Sequence, residues 1–249
     1  MFSTRRKVSF NLVAYSVVLS LVWTILPLGG AFGRILFSDD FEKGDLRQWD
    51  VIGGTWKVIQ IDNNHLVQTK EAGNPDDFRT LNIMNRAFGN FTMEARVWQV
   101  TQDHGANIYF HNDESRRNPQ QHSGYWFGIS GALAAVGWGI FKEGDQGVWD
   151  ALFSNVPLGW VRLKLKVKGK SATMWIQREG VDDDFQQVFE VADLSEETQA
   201  DYPKGSIGLV VAGGEVQIDD VIVADDELAV EPAGKTAVLW GQLKRENLR

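Results

Sequence analysis

The sequence predicts an all-β fold in which two antiparallel sheets pack face to face as a jelly-roll sandwich. Apolar and polar residues alternate along many short segments between Gly54 and Ala224, and Gly, Asn and Asp separate these segments. Only one short stretch has a helical pattern, which argues against parallel α/β folds. With 249 residues and 43% hydrophobic content, the chain is long enough to bury one large core.

The first 32 residues are typical of a targeting segment. Arg5, Arg6 and Lys7 precede an uncharged apolar stretch over residues 8–28, which is the order found in secretory signal peptides. An uncleaved anchor is the alternative, because the stretch approaches bilayer length and lacks an Ala-x-Ala cleavage signal. Both interpretations predict that the remaining chain is secreted or otherwise extracytoplasmic, in the periplasm or at the cell surface. They also limit contact with the membrane to this segment.

Charge and cysteine content narrow the classes of partner. The formal net charge is −8, which disfavours nucleic acid and is compatible with divalent cations or neutral sugars. The chain contains no cysteine, so stability has to come from core burial, with a bound metal as a possible addition.

The clearest strand pattern is the hairpin formed by residues 160–168 and 172–176. Val161, Leu163 and Leu165 alternate with basic residues, so one side of the strand is predicted to face the core and the other to face solvent. Gly169-Lys170 makes the tight connection between the two strands. Similar runs predict further strands at residues 55–61, 65–69, 91–98, 106–111, 124–129, 134–141, 185–190, 206–211 and 215–223.

Three segments depart from the strand pattern. Residues 194–200 are predicted to form a short helical turn, with Asp193 or Ser195 as its N-cap. Residues 113–122 are polar and aperiodic, so they predict a long loop. The main domain is therefore assigned to residues 33–225. Residues 226–249 form an acidic linker and a C-terminal tail around Trp240, for which a loosely ordered tail and a docking or sorting tag are the alternatives.

Ordered sequence blocks carry a resemblance to a known superfamily. They are Phe37-Ser38-Asp39-Asp40-Phe41-Glu42, Gly54-Thr55-Trp56-Lys57-Val58, Phe91-Thr92-Met93-Glu94-Ala95-Arg96-Val97, Gly124-Tyr125-Trp126-Phe127-Gly128-Ile129, Gly205-Ser206-Ile207-Gly208-Leu209 and Ile218-Asp219-Asp220-Val221-Ile222-Val223. Over residues 36–225 the chain resembles the concanavalin A-like lectin/glucanase superfamily, particularly bacterial laminin G-like and 3-keto-disaccharide hydrolase-like domains. The resemblance implies a concanavalin A-like jelly roll whose first and last strands lie side by side. The blocks are specific for the fold and not for a ligand. A lectin-like, non-catalytic carbohydrate-binding or adhesion function is predicted instead from export, the sandwich, the aromatic residues and the incomplete catalytic motif described below.

Carboxylates cluster in the two terminal segments that the resemblance places together. Calcium takes six to eight oxygen ligands in irregular geometry, which carboxylates from distant segments can supply. The resemblance implies a structural calcium ion at this seam, with Glu42, Asp219 and Asp40 as the candidate ligands. The alternative is that these acids are solvated residues at strand ends.

The carboxylate motif of the related glycoside hydrolases is incomplete. These enzymes carry Glu-x-Asp-x-(x)-Glu on one strand, whereas Glu143-Gly144-Asp145 is followed by Gly147 and Val148 where the second Glu is required. No catalytic residue is therefore predicted.

A histidine-rich patch keeps an enzymatic alternative open. His104, His111 and His122 lie near each other in sequence, with acidic residues nearby. General acid or base chemistry by this patch would make the protein a glycoside hydrolase acting on 3-keto-disaccharides or related glycosides.

Aromatic residues provide the predicted sugar-binding site. The chain has 10 Trp, and aromatic faces pack against the C–H groups of sugar rings. Trp56, Trp98, Trp160 and Trp175 are interpreted as structural. The predicted ligand-binding residues form a shallow groove and are Asn107, Tyr109, His111, Tyr125, Trp126 and Trp138. If Trp126 and Trp138 were both buried, a third hypothesis, a structural or protein-binding module, would gain support.

Overall fold

The computed structural model describes residues 34–62, 64–69, 78–99, 105–113, 123–130, 135–142, 145–153 and 159–225. Every described residue belongs to one compact unit, Ala31–Arg249. The predicted targeting segment, the C-terminal tail, His104, His122 and most of the predicted loop at 113–122 lie outside the described residues.

The described residues form two antiparallel sheets, which confirms the predicted jelly-roll sandwich. The eight-stranded sheet has the order β13-β12-β11-β6-β15-β4-β3, with β1 paired to β15. Its strands are β1 (Ile35–Asp39), β3 (Trp56–Ile61), β4 (Asn64–Thr69), β6 (Phe91–Gln99), β11 (Trp160–Lys168), β12 (Ser171–Arg178), β13 (Gln186–Val191) and β15 (Val216–Ala224).

The seven-stranded sheet has the order β10-β9-β8-β7-β14-β5-β2. Its strands are β2 (Trp49–Ile52), β5 (Phe78–Ile83), β7 (Gly105–Asn112), β8 (Gly124–Ser130), β9 (Ala135–Lys142), β10 (Asp145–Phe153) and β14 (Ser206–Ala212). The incomplete glycosidase motif therefore falls at the β9–β10 connection, because β9 ends at Lys142 and β10 begins at Asp145.

The main core lies between the two sheets and follows the period-two pattern. On β11, Val161, Leu163, Leu165 and Val167 are buried in it, while the residues between them face outward. Leu163 and Leu165 are fully buried, so truncating either would remove a packed side chain from the centre of the sandwich.

The described residues contain one helix, α1 (Leu194–Thr198), which is too short to cross a bilayer. Asp193 is its N-cap, and its Oδ1 accepts hydrogen bonds from the backbone N–H of Ser195 and Glu196. This settles the two sequence alternatives for the cap in favour of Asp193.

The first and last strands of the domain pair directly. Ile35 lies opposite Ala224, and Asp39 lies opposite Val221. At the open end of this pair, the backbone N–H of Asp225 donates to the carbonyl of Arg34 at 3.1 Å. The pairing of terminal strands that the resemblance implies is confirmed.

Candidate functional site

The structure divides the six predicted ligand-binding residues between the two sides of the seven-stranded sheet. Tyr125 and Trp138 point into the core between the sheets. Tyr109 and Trp126 belong to a separate cluster on the outer side, and Asn107 shares that side by strand alternation. The predicted single groove is therefore corrected. All six residues are buried, with exposed fractions of 7% for Asn107, 1% for Tyr109, 2% for His111, 1% for Tyr125, 6% for Trp126 and 4% for Trp138. Trp126 and Trp138 are thus both buried, which is the observation that favours the third hypothesis, a structural or protein-binding module.

His111 lies at a β-bulge and is engaged by backbone carbonyls. Its φ angle is +53°, and the pairing of β7 with β14 shifts register at this point. Its Nδ1 lies 2.7 Å from the carbonyl oxygen of Tyr202, and its Nε2 lies 2.9 Å from that of Gly89. Burial lowers the pKa of His111, although the two backbone hydrogen bonds oppose the shift. Both ring nitrogens face carbonyl oxygens, to which a neutral imidazole can donate from only one nitrogen at a time. Neither nitrogen faces outward, so this geometry disfavours a general acid or base role.

The outer side of the seven-stranded sheet has a floor of glycines, and we call it the glycine-floored face. It consists of the outward residues of β5, β14, β7, β8 and β9. The indole of Trp126 lies across β9, where a Cβ added at Gly137 would meet Trp126 at 3.4 Å and one at Gly139 would meet its Nε1 at 2.8 Å. Trp126 Nε1 also donates to the carbonyl of Gly147 at 3.2 Å. The absence of side chains at Gly137 and Gly139 therefore leaves the space that the indole occupies over β9.

A polar cluster occupies the same face beside the aromatic residues. Asn112 Nδ2 donates to Asn82 Oδ1 at 3.2 Å, and Asn112 lies opposite Ser206. Asn82 packs over Gly208, and Thr80 lies two residues before it on β5. Four atoms of this cluster are buried without a hydrogen-bond partner in the described structure: Asn82 Nδ2, Asn112 Oδ1, Ser206 Oγ and Thr80 Oγ1.

Buried polar groups without partners are rare in folded proteins and call for an explanation such as a ligand or bound water. Sequence reasoning missed this cluster. The sequence carries no signal for it, because Thr80 and Asn82 alternate with Leu81 and Ile83 and Ser206 begins β14, which is the ordinary pattern of a strand with one polar side.

The outer side of the eight-stranded sheet carries aromatic and basic side chains, and we call it the aromatic–cationic face. It consists of the outward residues of β6, β11 and β12. The rings of Trp98 and Trp160 meet edge to face at 5.4 Å between centroids. The guanidinium of Arg96 lies 3.9 Å from the Trp160 centroid and donates twice to Glu179, at 2.7 and 2.8 Å.

Trp98, Trp160 and Trp175 are half-buried on this face. The sequence interpretation allowed them either to fill or to edge the sandwich, and they do not fill it, because they lie outside the inter-sheet core. Trp56 is buried within that core, as interpreted.

Each of the three predicted calcium ligands accepts hydrogen bonds from other groups of the protein. Both carboxylate oxygens of Glu42 contact His65, at 3.2 Å to its backbone nitrogen and 3.0 Å to its Nδ1. Asp40 Oδ1 accepts from the backbone N–H of Glu42 at 3.3 Å. The described part of the chain contains no group of three His, Asp or Glu residues that could hold a metal ion.

Asp219 is also surrounded by donors rather than by further carboxylate ligands. It accepts from Asn64 Nδ2 and from the backbone N–H of Asp220, each at 2.8 Å, and Arg96 lies 3.6 Å away. A guanidinium at this distance takes the position that a cation would need. The predicted set of Asp40, Glu42 and Asp219 therefore does not fit a calcium ion.

The carboxyl of Asp219 is a source of pH-dependent stability. Burial raises its pKa to about 6, and the charge of Asp220 adds to the rise, while the hydrogen bonds and Arg96 oppose it. The folded protein thus holds this proton more tightly than the unfolded chain, whose carboxyl has an ordinary pKa of 3.8. The stabilising contribution is complete below that value and is lost as the pH rises through about 6.

We expect Asp219→Asn to remove this pH dependence. Between pH 4 and pH 7 the free energy of unfolding of the native chain should fall by on the order of 2 kcal/mol relative to the variant. Urea denaturation at the two pH values measures the difference, with the exposed Asp183→Asn as control. Equal pH dependence in both variants would contradict the assignment to Asp219.

No protein-family model and no curated protein sequence matches the chain. Solved structures do match. The carbohydrate-binding module CBM66 from Bacillus subtilis is 15% identical with a TM-score of 0.56, covering 71% of this chain and 95% of its own. A Bacillus subtilis protein of unknown function with a galectin-like fold has the same identity and TM-score and covers 78% and 97%.

A third similar structure is the exoplasmic/lumenal domain of VIP36 in its form bound to calcium and mannose. It is 13% identical with a TM-score of 0.50, covering 74% of this chain and 88% of its own. At these identities the similarities show the fold, and the laminin G-like and 3-keto-disaccharide hydrolase-like assignments stay predictions. The described chain is thus an antiparallel sandwich with the fold of these galectin-like and lectin structures.

Proposed function

We propose that the protein is a non-catalytic carbohydrate-binding domain that acts outside the cytoplasm and takes neutral sugars on its glycine-floored face. The observation that carries the proposal is the set of buried amide and hydroxyl atoms without partners beside Trp126. Unsatisfied buried donors and acceptors cost free energy, which a bound polar ligand would recover.

The chemistry of the cluster matches that of sugar hydroxyl groups. A hydroxyl both donates and accepts, so one hydroxyl can accept from Asn82 Nδ2 while another donates to Asn112 Oδ1. One described carboxylate adjoins the cluster, because Asp50 on β2 lies directly opposite Asn82. The outward positions of β5, β7 and β14 hold no described basic side chain, which disfavours an anionic ligand.

Trp126 supplies the apolar part of the same site. Its ring lies over the β9 glycines and only 6% of the residue is exposed, so a pyranose ring would stack on the part of the indole edge or face that remains accessible. The fold supports this proposal as well, since CBM66 is named as a carbohydrate-binding module and VIP36 was solved with mannose.

The test is binding of neutral oligosaccharides to the full chain. A glycan array that includes mannose-, galactose- and glucose-containing oligomers identifies a binder, and calorimetry gives its affinity. We expect Trp126→Phe and Asn82→Ala each to weaken binding about tenfold, the loss that corresponds to roughly 1.4 kcal/mol.

Trp98→Phe, on the opposite outer face, is the matched control and should leave this affinity unchanged. Absence of binding across the neutral array, or equal effects of the two Trp variants, would overturn the proposal. Turnover of a 3-keto-glucoside by the native chain would do so as well, because it would establish the enzymatic alternative.

Gly139 provides a second prediction on the glycine-floored face. A Cβ at this position would overlap the carbonyl oxygen of Gly147 and meet Trp126 Nε1 at 2.8 Å. We expect Gly139→Ala to lift the indole, to cost about 1–3 kcal/mol of stability and to abolish binding of the neutral oligosaccharide. Thermal melting and calorimetry measure the two effects.

Gly89→Ala is the control for this prediction, because the nearest atom to its Cβ would be the carbonyl oxygen of Pro203 at an ordinary 3.9 Å. If Gly139→Ala melted and bound like Gly89→Ala, the indole would not rest on β9 as described.

A further inference from the structure

The aromatic–cationic face presents a second arrangement of ligand-binding groups, separate from the glycine-floored face. Trp175 and Arg162 are both half-buried on it. Arg162 lies opposite Gln177, and Lys164 lies opposite Trp175, so Arg162 and Trp175 are diagonal neighbours on adjacent strands. Such neighbours are roughly 7 Å apart, within reach of one ligand.

Arg162 differs from the other cations of this region. Arg96 is paired with Glu179, Lys164 with Glu94, and Arg178 with Asp182, so the carboxylates nearby are already engaged. The two residues directly across from Arg162 are Arg96 and Gln177, and neither is acidic. Within the described part of the chain, no hydrogen bond or ion pair reaches the guanidinium of Arg162.

Trp175 is likewise available to a ligand. No ring contact or hydrogen bond joins its indole to another side chain among the described residues. By contrast, Trp160 is held between Trp98 and the Arg96 guanidinium. Trp160 therefore has a structural role on this face, whereas Trp175 presents its ring beside an unpaired cation.

The local charge of the face is opposite to that of the whole chain. Arg162, Lys166 and Lys168 lie at alternate positions of β11 together with Lys164, whose charge is compensated by Glu94, while the whole sequence has a net charge of −8. A basic strip on an acidic protein attracts anionic groups locally.

We propose that Trp175 and Arg162 form a binding site for an acidic sugar, in which the pyranose ring stacks on the indole and its carboxylate pairs with the guanidinium. Arginine binds a carboxylate with two parallel hydrogen bonds. The indole favours a ligand that contains a ring over an extended acidic chain, because a ring can stack on it. This site and the neutral-sugar site lie on opposite outer faces of the sandwich. The result for one site therefore does not decide the result for the other.

The experiment measures binding of trigalacturonate and of its methyl ester to the full chain by calorimetry at 0.05 M and about 0.15 M salt. We expect the acid to bind at least tenfold more tightly than the ester. Arg162→Gln should remove that preference, and Trp175→Leu should weaken both ligands. Lys57→Gln removes a positive charge from the exposed end of the same sheet and is the matched control.

Melting temperatures of the variants verify that each remains folded. Equal affinities for acid and ester would overturn the proposal, as would equal effects of Arg162→Gln and Lys57→Gln. A short polyglutamate peptide that bound as tightly as trigalacturonate would refute the sugar assignment. Trp126→Phe should leave trigalacturonate binding unchanged, and a loss there would place the ligand on the glycine-floored face instead.

Discussion

Replacing Tyr125 by alanine is expected to destabilise the domain by about 3–5 kcal/mol, the range for a large aromatic residue removed from a core. Its ring is fully buried and packs at 5.5 Å from Phe110 and 5.3 Å from Tyr202. Its hydroxyl donates to the carbonyl of Ala200 at 2.7 Å, which ties the segment after α1 to β8. Urea denaturation with circular dichroism measures the loss.

Tyr125→Phe separates the hydroxyl from the ring. This variant keeps the packing and leaves the Ala200 carbonyl with only the longer hydrogen bond from Thr198 Oγ1 at 3.4 Å, so we expect a cost of about 1 kcal/mol. A cost below 1 kcal/mol for Tyr125→Ala would mean that the side chain is not part of the core and would restore its predicted role as a ligand contact.

Lys164→Met is expected to cost about 3–5 kcal/mol, because it leaves the carboxylate of Glu94 buried without its cation. The two groups are 3.0 Å apart, and their side chains are 6% and 7% exposed. Replacing both, as Glu94→Leu with Lys164→Met, should recover most of the loss, since an apolar pair needs no charge compensation.

Lys168→Met is the control, because it removes an exposed lysine from the same strand and the same face. Surface changes of this kind are expected to remain within about 0.5 kcal/mol. If Lys164→Met and Lys168→Met unfolded at the same urea concentration, the ion pair would make no net contribution.

Period-two alternation was sufficient to predict the sandwich. On β11 the apolar and basic residues separate cleanly, so the pattern predicts both the strand and its buried side, and the structure agrees. On β8 the same rule is ambiguous, because Tyr125, Trp126 and Phe127 are all aromatic and either side could be core. The sequence therefore could not assign Trp126 to the outer face.

Two β-bulges lie at predicted site residues that the structure does not arrange as predicted, one at His111 of the groove and one beside Asp219 of the metal site. His111 has a φ of +53° at the register shift between β7 and β14, so it leaves the side that Asn107 and Tyr109 share. Asp220 has a φ of +49° at the shift between β15 and β6, next to the predicted metal ligand Asp219. A bulge adds one residue to one strand and reverses the alternation beyond it, and no periodic pattern predicts where this happens.

The pairing of β1 with β15 also determines how the domain would respond to force. Residues 34 and 225 leave the sheet at the same end of two adjacent antiparallel strands, joined there by backbone and side-chain bonds between Arg34 and Asp225. A tension applied through these two ends acts perpendicular to the strand direction. The backbone hydrogen bonds between β1 and β15 would therefore break one after another rather than together. The domain would therefore unzip from its own ends at low force, beginning with the Arg34–Asp225 contacts and continuing toward Asp39 and Val221.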